Sequence, residues 1–111
     1  MSGPKIGEFE QMVLLAVLQH GQAAYAIEVR EELERSAGRS VSRGALYRTF
    51  DRLEQKDYVE WDIETSGSSS DRGGNPMRRF RVTEKGLDAL RASRTALFKL
   101  WRGLDSVLGE S

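Results

Sequence analysis

The stretch from Ser42 to Val59, Ser-Arg-Gly-Ala-Leu-Tyr-Arg-Thr-Phe-Asp-Arg-Leu-Glu-Gln-Lys-Asp-Tyr-Val, constrains the fold more than any other part of this chain. Ser42 is placed to cap a helix, because its hydroxyl accepts a hydrogen bond from a backbone N–H that the first turn leaves unpaired. Leu46, Phe50 and Leu53 recur at i, i+4 and i+7 and so face a core, while Ala45, Arg48, Asp51, Arg52 and Gln55 face away from it. Two readings fit. In one the helix enters a DNA groove: an arginine fork spans two acceptors on a guanine edge or grips phosphate, and small Gly44 and Ala45, after Ser42 and Arg43, let the helix N-terminus come close. In the other it is an ordinary amphipathic helix with a solvated basic face. The segment alone does not choose between them.

The rest of the chain narrows the choice. At 111 residues it is expected to form one modest core, completed by a partner chain. It has no cysteine and a single histidine, His20, which excludes a disulfide framework, a thiolate metal site and a multi-histidine site. His20 itself reads as a surface residue ending a helix. No apolar run reaches membrane-spanning length, and Met1-Ser2-Gly3-Pro4-Lys5 lacks the basic and hydrophobic segments of a signal peptide, so a cytoplasmic location is expected with no membrane partner.

The formal net charge is zero, but the charge is segregated. Residues 1 to 36 hold three bases against six acids, whereas residues 37 to 56 hold five bases (Arg39, Arg43, Arg48, Arg52, Lys56) against Asp51 and Glu54. Residues 57 to 71 then carry five acids and no base, and residues 72 to 85 five bases against Glu84 alone. Local basic surface, more than net charge, decides whether a protein meets nucleic acid.

Glu8 to His20 is apolar on nearly every side. Phe9, Met12, Val13, Ala16 and Val17 form one face, with Leu14, Leu15 and Leu18 off it, so this helix should be buried on two sides and meet a second chain on one of them. Gly21 to Ala24 break the pattern. Tyr25 to Ala37 resumes as a helix with Ala26, Val29, Leu33 and Ala37 inward and solvated glutamates outward, and Gly38 ends it. Between Tyr58 and Glu64, Val59, Trp61 and Ile63 alternate with acids, the period of a half-buried strand. Met77 to Val82 alternates again after the Gly/Ser-rich segment Thr65 to Pro76, making a hairpin. Arg79 and Arg81 fall opposite Glu60, Asp62 and Glu64 and are set to form cross-strand ion pairs, the rival reading being a DNA role. Arg72, beside Gly73, Gly74 and Asn75 at the loop tip, has no strand acid obliged to neutralise it and suits a phosphate or minor groove, the rival being a plain linker.

Thr83 caps a last helix expected from Glu84 to about Leu108, roughly 37 Å long. Leu87, Leu90, Arg94, Leu97, Trp101, Leu104 and Leu108 follow alternating steps of three and four, a heptad seam interrupted by Arg94. With Phe9, Val13 and Leu14 of the opening helix these residues form the expected dimer interface. The fold class is thus mainly α with a small β-hairpin (α+β): a winged helix-turn-helix over residues 1–82 and a C-terminal dimerisation helix over 83–111.

In this order and spacing, several segments resemble the PadR-like family of bacterial winged-helix transcription regulators, in its short form with a single C-terminal helix. They are Gly7-Glu8-Phe9-Glu10, Tyr25-Ala26-Ile27-Glu28, Ser42 to Tyr47 with Arg52-Leu53-Glu54, Gly73-Gly74-Asn75-Pro76 with Arg79-Phe80, and Val82 to Gly86. The resemblance covers nearly the whole chain and departs at Ala26 and Asp57, where relatives commonly carry glycine. It implies a homodimeric repressor on an inverted-repeat operator, released by a small-molecule effector, with no cofactor and with Tyr25 and Tyr47 near the DNA backbone. Phe98 and Trp101 are candidates for an effector pocket, against the plainer reading that large rings anchor an interface. The rival function is a winged-helix protein-interaction module that does not bind DNA. Catalysis is not expected, since Gly73-Gly74 lies between strands and no nucleophile has a supporting base.

Overall fold

The computed structural model describes residues 6–64 and 77–109. In chain order the elements are α1 (Glu8–Gln19), β1 (Ala24–Tyr25), α2 (Ala26–Ala37), α3 (Arg43–Gln55), β2 (Val59–Glu64), β3 (Met77–Val82), α4 (Glu84–Trp101) and α5 (Asp105–Leu108). The strands form one antiparallel sheet in the order β1-β3-β2.

Local chemistry sets most helix ends. Ala45 N–H donates to Ser42 Oγ at 3.1 Å and Gly86 N–H to Thr83 Oγ1 at 3.0 Å, so both expected caps are made. At the start of α1 and α2 the reach is reversed: the Gly7 and Tyr25 N–H groups donate to Glu10 and Glu28 three residues ahead, at 2.8 and 2.9 Å. Gly38 ends α2 in the left-handed region at φ 62°. Asp57 takes the same conformation, φ 64°, where α3 turns into β2. A side chain is strained there.

The core gathers α1, α2 and α3 against β3. Leu46, Phe50 and Leu53 are buried as their spacing predicts. Phe50 and Phe80 stack with ring centroids 3.8 Å apart and planes 8° from parallel, which seats β3 on the inner face of α3. Tyr47 meets the edge of Phe80 at 6.4 Å.

Four features differ from expectation. β1 was not legible as a strand, being two residues held by Ala24 opposite Phe80 and Tyr25 opposite Arg79. Ala37 is exposed, because α2 outruns the core in its last turn. His20 is half-buried, its Nε2 3.5 Å from Glu32 Oε1. The long terminal helix stops at Trp101: Arg102 leaves helical geometry at ψ 130°, Gly103 follows at φ 79°, and α5 begins anew. Leu104 and Leu108 are therefore not on the continuous seam expected from Leu87 onward.

Candidate nucleic-acid interface

The burial of Leu46, Phe50 and Leu53 turns the opposite side of α3 to solvent. Gly44 and Arg48 are exposed there, Arg43 is exposed at the first position of the helix, and among the described residues neither arginine has a carboxylate partner. Ala45 is half-buried on the flank toward α1, not on the outer face. Tyr47 is half-buried on the flank toward the sheet, and Tyr25 is half-buried where β1 enters α2. Arg72, Gly73, Gly74 and Asn75, with the whole Thr65 to Pro76 loop, lie outside the described residues.

The basic run from residue 37 to 56 divides in three dimensions. Arg39 lies over the Phe9 ring at 5.1 Å, with Nη1 3.6 Å from Met12 Sδ. Lys56 Nζ donates to both Glu10 oxygens, at 2.8 and 3.1 Å. Arg52 Nε lies 3.4 Å from Glu10 Oε2 and its Nη2 donates to Thr49 Oγ1 at 3.1 Å. Three of the five bases thus face α1, and Arg43 and Arg48 are left to face a ligand. The Arg52 expected outward is tied to Glu10, an acid of the negatively charged first 36 residues.

Glu10 is buried and joins the first turn of α1 to the last turn of α3. Burial works to raise its carboxyl pKa, but the Lys56 hydrogen bond, the Gly7 N–H, the Lys56 charge and Arg52 outweigh it and hold the group below the ordinary glutamate value. This contact contributes fully above the unfolded-state pKa, about 4.3, and is lost as pH falls through the lower folded value. Glu10→Gln should accordingly lower the urea midpoint at neutral pH and flatten the acid side of the stability profile. Equal acid limbs for the two proteins would show that Glu10 carries no such linkage.

On the solvent face of the sheet the expected cross-strand pairs form: Arg81 to Asp62 at 2.9 Å and to Glu60 at 3.4 Å, and Arg79 to Asp62 at 3.7 Å. The Arg81 hydrogen bond leads in holding the Asp62 carboxyl below its usual range. These charges are internally balanced. Arg78 was singled out by no sequence signal; it lies on the other face, opposite Ile63, with its guanidinium 4.7 Å from the Trp61 ring centroid and 5.4 Å from that of Tyr47.

A second surface lies between α1 and α4. Val13 and Leu14, expected at a dimer interface, are fully buried in the chain's own core and have no surface left for a partner. Leu90 is also largely buried, and Phe9 sits under Arg39. The outward side of α1 is Leu15 and Leu18, which with Leu87, Leu97, Phe98 and Trp101 line an apolar groove of about 370 Å³. Its polar end holds Gln11, whose Oε1 accepts from Ser93 Oγ at 2.9 Å. Leu15, Leu97 and Trp101 are 46, 44 and 50% exposed. Among the described residues no helix is long and apolar enough to cross a membrane.

Three helices with the third presented to solvent, followed by a two-stranded wing, define a winged helix, a fold suited to lay one helix in a DNA groove. The profile of the transcriptional regulator PadR-like family matches residues 14–92, and the chain belongs to that family. It is a DNA-binding transcription regulator. Similar solved structures include a PadR-like transcription factor from Bacteroides fragilis (23% identity, 89% of this chain and 88% of that one, TM-score 0.72). A PadR-like regulator from Bacillus cereus is 19% identical over 93% of both chains, with a TM-score of 0.71. F93 from STIV, a winged-helix DNA-binding protein, is 17% identical over 84% of this chain and 90% of its own, with a TM-score of 0.63. At these identities the likeness concerns the fold. A search of curated proteins returns no match.

Proposed function

We propose that this chain is a homodimeric repressor that binds an inverted-repeat operator through α3 and is released by a small-molecule effector. Residues 1–82 would bind DNA and residues 83–111 would carry dimerisation. The observation that carries the DNA reading is the pair Arg43 and Arg48, exposed on either side of Gly44 in the N-terminal half of α3 without a described carboxylate to neutralise them. The other basic residues of that segment are held by Glu10 or Phe9, so these two are the groups free to meet phosphate or a guanine edge. Tyr25, Ser42 and Tyr47 flank them.

The dimer reading rests on the α1–α4 groove. Its apolar lining is half exposed, and a second copy would bring the same surface about a two-fold axis; two α3 helices about 34 Å apart would then match successive major grooves of a palindrome. Phe98, 68% exposed, and Trp101 lie where an apolar effector would enter between subunits.

Replacing Arg43 and Arg48 together with glutamine tests the DNA surface. Binding to a short random-sequence duplex, followed by fluorescence anisotropy across a salt series, should weaken, and the slope of log affinity against log salt should fall by about two. Wild-type affinity and slope in the double variant would place the DNA surface elsewhere and favour the interaction-module reading.

A further inference from the structure

Alternation along β3 places Arg78 on the face of Phe80 and Val82, where an apolar side chain is the rule. It is half-buried, and its charge is handled differently from that of its neighbours. Arg79 and Arg81 are paired with Asp62 and Glu60 across the sheet, whereas Arg78 has two aromatic rings and, among the described residues, no carboxylate. One ring, Trp61, belongs to the wing strand β2; the other, Tyr47, belongs to α3, one turn beyond Arg43. Arg78 therefore sits at the seam between the recognition helix and the base of the wing.

We propose that Arg78 is a phosphate-binding residue of the DNA interface, held ready by its stack on Trp61 and Tyr47. The inference rests on the reading of α3 as the DNA-facing helix. Stacking engages the flat face of a guanidinium and leaves its N–H edge free to donate in the plane. A phosphate accepts two such bonds from one arginine. The rings also restrict a long side chain before DNA arrives, so less freedom is lost when the contact forms. Where a winged helix lays α3 in the major groove, the flank of α3 toward the wing runs beside the sugar-phosphate backbone, and Arg78 is a cation on that flank. The plainer role for such a side chain is to cover aromatic surface with its stem.

Anisotropy titrations of the random-sequence duplex across the same salt series, on the full chain, separate the two. Arg78→Gln is expected to reduce the salt slope by about one and to weaken low-salt binding about tenfold while the circular dichroism spectrum is retained. Arg78→Lys keeps the charge without the planar stack, so it should hold the wild-type slope with intermediate affinity. A wild-type slope in Arg78→Gln overturns the proposal and leaves Arg78 as a cover for the rings. If the glutamine variant does not fold, the lysine variant decides: weakened binding at an unchanged slope supports the proposal, and wild-type affinity overturns it. Loss of binding in the Arg43 and Arg48 double variant with no change in Arg78→Gln defeats this inference alone, whereas unchanged binding in the double variant defeats the reading of α3 on which it rests.

Discussion

Gly86→Ala is expected to destabilise the protein by roughly 2–3 kcal/mol, the opposite of the usual helix result. In a helix interior alanine is favoured over glycine by about 1 kcal/mol. Here a Cβ would fall well inside van der Waals contact distance of the Tyr58 carbonyl oxygen and 2.9 Å from Val82 Cγ1. The backbone cannot easily retreat: the same Tyr58 oxygen accepts from Thr83 N–H at 3.0 Å, and Thr83 Oγ1 donates to the Asp57 carbonyl at 2.6 Å. These bonds lock the first turn of α4 onto the turn between α3 and β2, so the clash strains the junction that fixes α3 relative to the wing. A fall in melting temperature of about 10–20 °C follows for a domain of this size. Calorimetry that finds the alanine variant as stable as wild type or more so would show that α4 is free to shift outward.

Leu97→Glu combined with Trp101→Glu should convert the proposed dimer to a monomer and weaken binding to a palindromic operator, selected from a random-sequence pool, by roughly 10²–10⁴-fold. Both side chains are about half exposed, so a charge on either leaves the chain's own core intact. In a two-fold interface each charge is buried against an apolar lining and occurs once in each copy, which multiplies the cost. The affinity loss comes from bivalence, because a monomer holds one half-site without the second being tethered nearby. Sedimentation and anisotropy read the two effects separately. A double variant that still sediments as a dimer would remove the α1–α4 groove as the interface, and a monomer with undiminished operator affinity would remove the need for two half-sites.

What was legible in the sequence is what short-range physics writes there. The Ser42 and Thr83 caps, the Gly38 stop and the buried stripe of α3 involve partners within a few residues, so spacing alone reveals them. Likewise the facing of Arg79 and Arg81 toward Glu60 and Asp62 follows from the period of two on each strand of the wing. The hairpin and its place after α3 were visible for the same reason.

Tertiary structure decided the matters in which several faces compete for one core. Periodicity shows that α1 is apolar on two sides but not which side its own chain takes, and only packing assigns Val13 and Leu14 to the core and leaves Leu15 outward. Five bases in a row of residues 37 to 56 look alike in sequence. Folding draws Lys56 and Arg52 to Glu10, 46 and 42 positions away, and leaves Arg43 and Arg48 outward. β1 carries no signal of its own, since two residues become a strand only when β3 offers its edge. The need for glycine at position 86 has the same origin: a helix propensity of about 1 kcal/mol per residue is small beside a backbone carbonyl already occupying the space a methyl group would take.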